Sequence, residues 1–296
     1  VSPAGKDLAS FNSDGFTVGA PWHYDLNTAS RTYASWSFRK AEKFFDVVTF
    51  TSASSGATTF NHSLGVPPAF IILKATGVAS SWLCYHTSLG TSKYLELNSP
   101  AAEGSGTNWI SVDSTSVTIG AGWAGTSRPY VAYLFASDAG GFGDDDENII
   151  KCGSYTSTGN SVTGIDIDLG FEPQWILQKN ATGTSATYWM IADVMRGLTA
   201  KNGTSYPSVQ VLKPNTSAAE VDPGILSINN TGFTSHGGFN PGDNIIYMAI
   251  RRPMKTPTAG TEVFASDTLN STGDGANPGY RSPFPVDMSL MKNVSN

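Results

Sequence analysis

The sequence predicts an all-β protein made of tandem β-sandwich, jelly-roll-like repeat domains. Three observations lead there: a turn-rich composition, landmarks that recur along the chain, and short apolar strands with no helical period. Of 296 residues, 31 are Gly and 16 are Pro. Turn-formers at this density, between short apolar runs, are the mark of sandwiches and barrels. An apolar content of 40% excludes a disordered chain, and 14% charged residues is too few for long solvated helices. The net charge of −6 and the lack of a basic patch exclude a nucleic-acid binder. No apolar run approaches the ~18 residues of a membrane span. Cys84 and Cys152 stand far apart in apolar runs, so each is read as a buried free thiol rather than half of a disulfide framework. The start, Val1-Ser2-Pro3-Ala4-Gly5, has neither an initiating Met nor signal-peptide character, so the sequence reads as a segment of a longer protein.

Self-similarity carries the domain reading. Val66–Lys74, Phe171–Lys179 and Phe284–Lys292 each combine an apolar opener, a Pro, an apolar strand and a closing Lys. Their Lys residues are 105 and 113 positions apart. A polar turn leading into a strand recurs as Asn12–Thr17, Asp113–Thr118 and Asn229–Thr234. Closing strands dense in aromatic and aliphatic residues recur as Tyr33–Arg39, Tyr130–Ala136 and Ile245–Arg251. Between these landmarks, Ser81–His86 matches Thr187–Ala192, and Ser88-Leu89-Gly90 matches Met195-Arg196-Gly197.

The chain is therefore cut out of phase with its repeats. Residues 1–39 are the C-terminal part of a preceding repeat. Residues 45–136 and 149–252 are complete β-sandwich repeats, and 263–296 begin a further one. Each complete unit has room for seven to ten short strands, the size of one sandwich domain. Phe45–Thr51 and Ser208–Leu212 alternate as half-buried strands do, whereas Ala69–Leu73 is continuously apolar and predicts a strand covered on both faces. Ser137–Glu147 and Pro253–Thr261 read as linkers.

These landmarks resemble uncharacterised repeat domains of marine bacteriophage tail-fibre and virion structural proteins, which often sit beside concanavalin- or laminin-G-like domains. The resemblance lies in the G-[VF]-x-P-x-[FW]-[IV] strand, the Trp-containing strand ending near Ser-Leu-Gly, the G-F-T turn and the Y-[VI]-A-[WY]-x-F closing strand. Ser35–Val48 looks typical of the junction between units. The resemblance covers nearly the whole chain. It implies a virion location, host adhesion, other virion proteins as partners and a homotrimer, and it supplies no catalytic motif.

Motifs for a nucleophile elbow, a zinc protease, a P-loop or a dinucleotide site are absent from the sequence. His23, His62, His86 and His236 have no metal-ligating neighbour at i+2 to i+4 and read as structural or exposed. Asp166 and Asp168 share one strand face. A glycosidase pair faces a groove from different strands, so these two read as a solvated face. Asp144, Asp145, Asp146 and Glu147 offer hard oxygen ligands suited to Ca²⁺. Consecutive carboxylates cannot all turn to one ion, however, and a solvated linker is the favoured reading, with no cofactor required. Trp82 and Trp189 lie in repeated strands and read as packing residues. Trp22, Tyr24, Trp109 and Trp123 fall in loop-like stretches and are the candidate ligand-binding residues, with sugar stacking, subunit contact and ordinary packing all open. The expected function is a virion structural protein, a tail-fibre or receptor-binding component that meets a host glycan or receptor. The alternatives are a lectin-like carbohydrate-binding module and a polysaccharide depolymerase.

Overall fold

The computed structural model describes residues 6–21, 27–30, 32–143, 147–159, 164–183, 188–201 and 209–252. The fourth segment, 263–296, lies outside them. An N-terminal hairpin, β1 (Leu8–Asn12) and β2 (Gly15–Val18), precedes two sets of sheets. The first set holds β3 (Phe45–Thr51), β4 (Thr58–Asn61), β5 (Phe70–Ala75), β6 (Leu83–His86), β7 (Lys93–Glu96), β8 (Gly104–Ser105), β9 (Ile110–Val112), β10 (Ser116–Ile119) and β11 (Pro129–Phe135). The second holds β12 (Ile150–Thr156), β13 (Ile165–Asp168), β14 (Pro173–Asn180), β15 (Trp189–Asp193), β16 (Leu226–Asn229), β17 (Gly232–Ser235) and β18 (Asn244–Arg251). Among the described residues, helical structure is limited to two short 3₁₀ turns, Thr87–Leu89 and Val194–Arg196.

Each set forms one large and one small antiparallel sheet, and the two sets share one strand order, to which β7 and β8 add an extension at the edge of the first large sheet. The large sheets run β3-β11-β5-β6-β7-β8 and β12-β18-β14-β15; the small sheets run β4-β10-β9 and β13-β17-β16. The repeat is visible down to its turns. Gly65 and Gly170 precede the repeated Pro-containing strand at φ of 74° and 77°, a left-handed backbone that favours glycine. The preceding Leu64 and Leu169 are both buried.

Strand alternation then decides what each sheet face meets. Ile71 pairs with Leu134 and Tyr85, and the Tyr85 ring lies 6.4 Å from that of Trp109 beside the small sheet. This face closes the first sandwich core. Phe70 pairs with Phe135 and His86 on the opposite face. There the Phe70 ring lies 6.2 Å from Trp189, and His86 Nε2 lies 3.0 Å from the Tyr247 carbonyl oxygen. In the second set, Ile176, Tyr247 and Ala249 pack with the small sheet, whereas Trp175, Leu177, Ile246 and Met248 join the first set's core. The two large sheets therefore stack back to back, with a small sheet outside each. This explains the continuous apolar run Ala69–Leu73: β5 is covered on both faces.

Three features differ from the sequence reading. Tyr33–Arg39 is not a strand here; instead Phe38 inserts where the large sheets meet, and Trp36 lies exposed against Asp193 and Arg196 at the end of β15. The Phe38 ring is 5.5 Å from Phe135 and 6.3 Å from Trp175. Val211 and Leu212 make only isolated bridges, to Val221 and Ile191, and Ser208 lies outside the described residues. The stretch after Phe135 is fastened rather than loose: Asp138 N–H donates to the Ile150 carbonyl, and the Asp138 carboxylate pairs with Lys151 at 3.3 Å. Pro253–Thr261 lies outside the described residues.

The stacked interface encloses Lys179, whose ammonium donates to the carbonyls of Pro100 at 3.3 Å and Asn180 at 2.6 Å. Burial lowers its pKa to about 8. Between pH 8 and the ordinary Lys value near 10.5 the unfolded chain binds the proton and the folded chain does not, so stability gains from this group as pH rises through that window. Replacing Lys179 with Met is expected to remove that gain. The measurement is the difference between wild-type and K179M unfolding free energies at pH 7 and pH 10. An equal difference at both pH values would refute the assignment.

Candidate functional site

The structure brings two of the four aromatic candidates together. Trp109 precedes β9 and Trp123 stands in the turn after β10; their rings are 5.9 Å apart. Tyr94 of β7 completes the group, 6.2 Å from Trp109 and 5.1 Å from Trp123. Trp109 is 0% exposed, and its indole N–H donates to the Lys93 carbonyl at 2.9 Å. It offers no free face to a ligand, which corrects the sequence reading: the Gly- and Ser-rich stretch around it looked like a loop, but the ring points into the sandwich. Trp123 and Tyr94 are half-buried. Gly106 lets the chain pass close to the Trp123 ring, since a Cβ there would sit 2.6 Å from its Cζ2. The Lys93–Glu103 ion pair lies along the same strands. The result is a half-buried Tyr–Trp pair on a rigid aromatic base, able to pack against the apolar face of a sugar or of a partner side chain. Trp22 and Tyr24 lie outside the described residues.

Among the described residues, no three His, Cys, Asp or Glu side chains gather in a way that could hold a metal ion. Glu147 is paired with Arg251 at 3.1 Å, and its backbone N–H donates to the Phe142 carbonyl. It therefore closes a turn against the second set of sheets. Asp144, Asp145 and Asp146 lie outside the described residues. Asp166 and Asp168 are exposed on one face of β13; Asp166 accepts from the Thr234 hydroxyl at 2.6 Å and Asp168 from Gly170 N–H at 2.9 Å.

The histidines are tied into the scaffold. His62 Nδ1 accepts from Leu64 N–H, and His236 Nε2 lies 2.7 Å from the buried Ser227 hydroxyl. His86 Nδ1 accepts from Ser88 N–H, which leaves the Nε2 proton for the Tyr247 carbonyl. Burial lowers its pKa to about 4. His23 lies outside the described residues.

One cluster was not recognised in the sequence. Asp193 stands where His86 stands in the other unit, one position on from the Ala192 that the sequence match set opposite His86; it ends the edge strand β15 before a 3₁₀ turn and caps that turn by accepting from Arg196 N–H. Its carboxylate also pairs with the Arg196 guanidinium and accepts the Trp36 indole N–H at 2.9 Å. Arg196 lies 5.0 Å from the Trp36 ring centre and pairs with Glu220. The signal was present in the match of Ser88-Leu89-Gly90 to Met195-Arg196-Gly197, but the partner, Trp36, is remote in sequence. Beyond this turn, a cavity of about 300 Å³ is lined by Leu198, Thr199, Ile228, Asn229 and the Glu172–Arg252 ion pair.

Comparison with known proteins finds one family, described as a domain of unknown function (DUF7483), matching residues 2–252. No curated protein and no solved structure matches. The match runs from the N-terminal hairpin through both sandwiches, and the chain belongs to this DUF7483 family.

Proposed function

We propose that this chain is a structural component of a bacteriophage virion, a tail-fibre or receptor-binding segment that displays its repeats for host adhesion and assembles as a homotrimer. The observation that carries the reading is the pair of sandwiches with a shared strand order, joined back to back through a common core. Such a scaffold holds its loops rigidly, and rigidly held loops are where recognition resides. The low-charge, acidic composition and the likeness of the repeat landmarks to phage virion repeats point the same way. No catalytic step is proposed, because the polar groups of the described site are engaged in holding the fold. The test is to probe purified particles with antibodies to this chain and to weigh the purified chain in solution. Labelled particles and a trimer are the expected results; unlabelled particles or a strict monomer would count against the reading.

The half-buried Tyr94–Trp123 pair favours one second reading, a lectin-like module that binds host-surface glycans. In that case Trp123→Ala is expected to lower glycan-array binding at least tenfold without moving the unfolding midpoint by more than a few degrees. Unchanged binding in Trp123→Ala would remove this pair as the sugar platform.

A further inference from the structure

Comparing the two sandwiches separates what the scaffold needs from what one unit adds. Glu172 and Arg252 stand where the first unit has Pro67 and Ser137. The first sandwich folds without charges at these positions, so the Glu172–Arg252 ion pair is an addition of the second. The turn between β16 and β17 differs as well. In the first unit, Asp113 spends both carboxylate oxygens within its own turn, accepting from the N–H and the hydroxyl of Thr115 and of Ser116. Its counterpart Asn229 accepts only from Thr231, through Oδ1. The Asn229 amide nitrogen has no partner among the described residues.

These additions meet at the cavity of about 300 Å³ beyond the Val194–Arg196 turn. Leu198 and Ile228 give it an apolar floor, 3% and 8% exposed. Thr199 and Asn230 line it too, and among the described residues neither the hydroxyl nor the amide has a partner. This lining selects one class of ligand. An ion gains little, because Glu172 and Arg252 lie 3.3 Å apart and offset each other. A wholly apolar molecule would strip water from the Asn and Thr groups and return no hydrogen bond. A sugar ring carries hydroxyls on its rim and C–H groups on its faces, so it meets both the polar groups and the floor. The volume is at the small end of the ~300–1,000 Å³ range of small-molecule sites, which suits one ring rather than a chain. We propose that this cavity binds a neutral monosaccharide residue. It lies in the other sandwich from Tyr94 and Trp123 and does not depend on their binding sugar.

An amide-resolved NMR titration of the full chain tests the site. The probes are glucose, galactose, mannose and N-acetylglucosamine, with glycine and inorganic phosphate as charged controls. At least one sugar is expected to give saturable shifts at Thr199, Ala200, Asn229 and Asn230, with a Kd on the order of 1 mM. Thr199→Val combined with Asn230→Ala is expected to weaken that binding about tenfold or more. The unfolding midpoint is expected to stay unchanged, because both side chains are exposed and unpaired. Trp123→Ala is expected to leave the shifts as they are, so this site and the Tyr94–Trp123 pair succeed or fail separately. No saturable shift at these residues with any of the sugars overturns the proposal. Undiminished binding by the double variant does the same, as does tighter binding of glycine or phosphate, which would make this a site for charged ligands.

Discussion

Trp189→Ala is expected to destabilise the protein by on the order of 3–5 kcal/mol, a large share of the ~5–15 kcal/mol that holds a typical domain folded. Trp189 is 1% exposed, packs 6.2 Å from Phe70 and donates its indole N–H to the Glu96 carbonyl at 2.9 Å. Truncation leaves a cavity between the two large sheets and takes from the Glu96 carbonyl one of its two donors, the Ser99 N–H remaining. Because the ring belongs to one unit and its contacts to the other, the loss falls on the coupling between units as well as on β15. Chemical denaturation followed by far-UV circular dichroism is expected to show a lower midpoint and, for the Ala variant, two transitions in place of one. Trp189→Phe keeps most of the ring and is expected to recover most of the packing, with only the hydrogen bond lost. A Trp189→Ala change below ~1 kcal/mol would mean that the sheets do not share this core.

Acid is expected to weaken the same junction through His86. Its neutral imidazole bridges the Ser88 N–H and the Tyr247 carbonyl. A second proton would sit on Nδ1, where the Ser88 N–H already points. Burial holds the folded pKa near 4, against an ordinary value of 6.5. Between those values the unfolded chain takes up the proton and the folded chain does not. Stability therefore falls as pH drops through that window and is insensitive to His86 above it. The full shift corresponds to on the order of 3 kcal/mol. Carboxylates titrate over the same range, so the measurement is the difference between wild type and His86→Asn, whose amide mimics both hydrogen bonds without titrating. That difference is expected to shrink or reverse sign in the variant's favour from pH 7 to pH 4. A pH-independent difference would show that His86 does not stay neutral in the folded protein.

Much of the fold was legible in the sequence because strand physics is local. Alternation marked Phe45–Thr51 as a half-buried strand, and a continuous apolar run marked β5 as doubly covered. The candidate site was less legible. Trp109 and Trp123 lie in similar Gly- and Ser-rich surroundings, yet one ring is wholly buried and the other is half-exposed. Local composition does not distinguish a loop that points outward from one that folds its ring into a sandwich. The Trp36–Asp193–Arg196 cluster joins residues 157 positions apart, a separation no local pattern spans.

By itself, then, the sequence determined the all-β class and the apolar strand patterns that recur in both sets of sheets. Only the tertiary structure decided what those patterns pack against. Phe70, Phe135, Trp175 and Trp189 are apolar on the outer faces of their own sandwiches, and the stacking of one large sheet on the other is what buries them. The same stacking drew Phe38 out of a strand-like pattern and into the junction. The physical reason is that the hydrophobic effect is non-directional: it scales with the apolar surface removed from water and names no partner. Partner and geometry are set by shape and by the few buried polar groups, His86, Lys179 and Asp193, whose hydrogen bonds fix one arrangement.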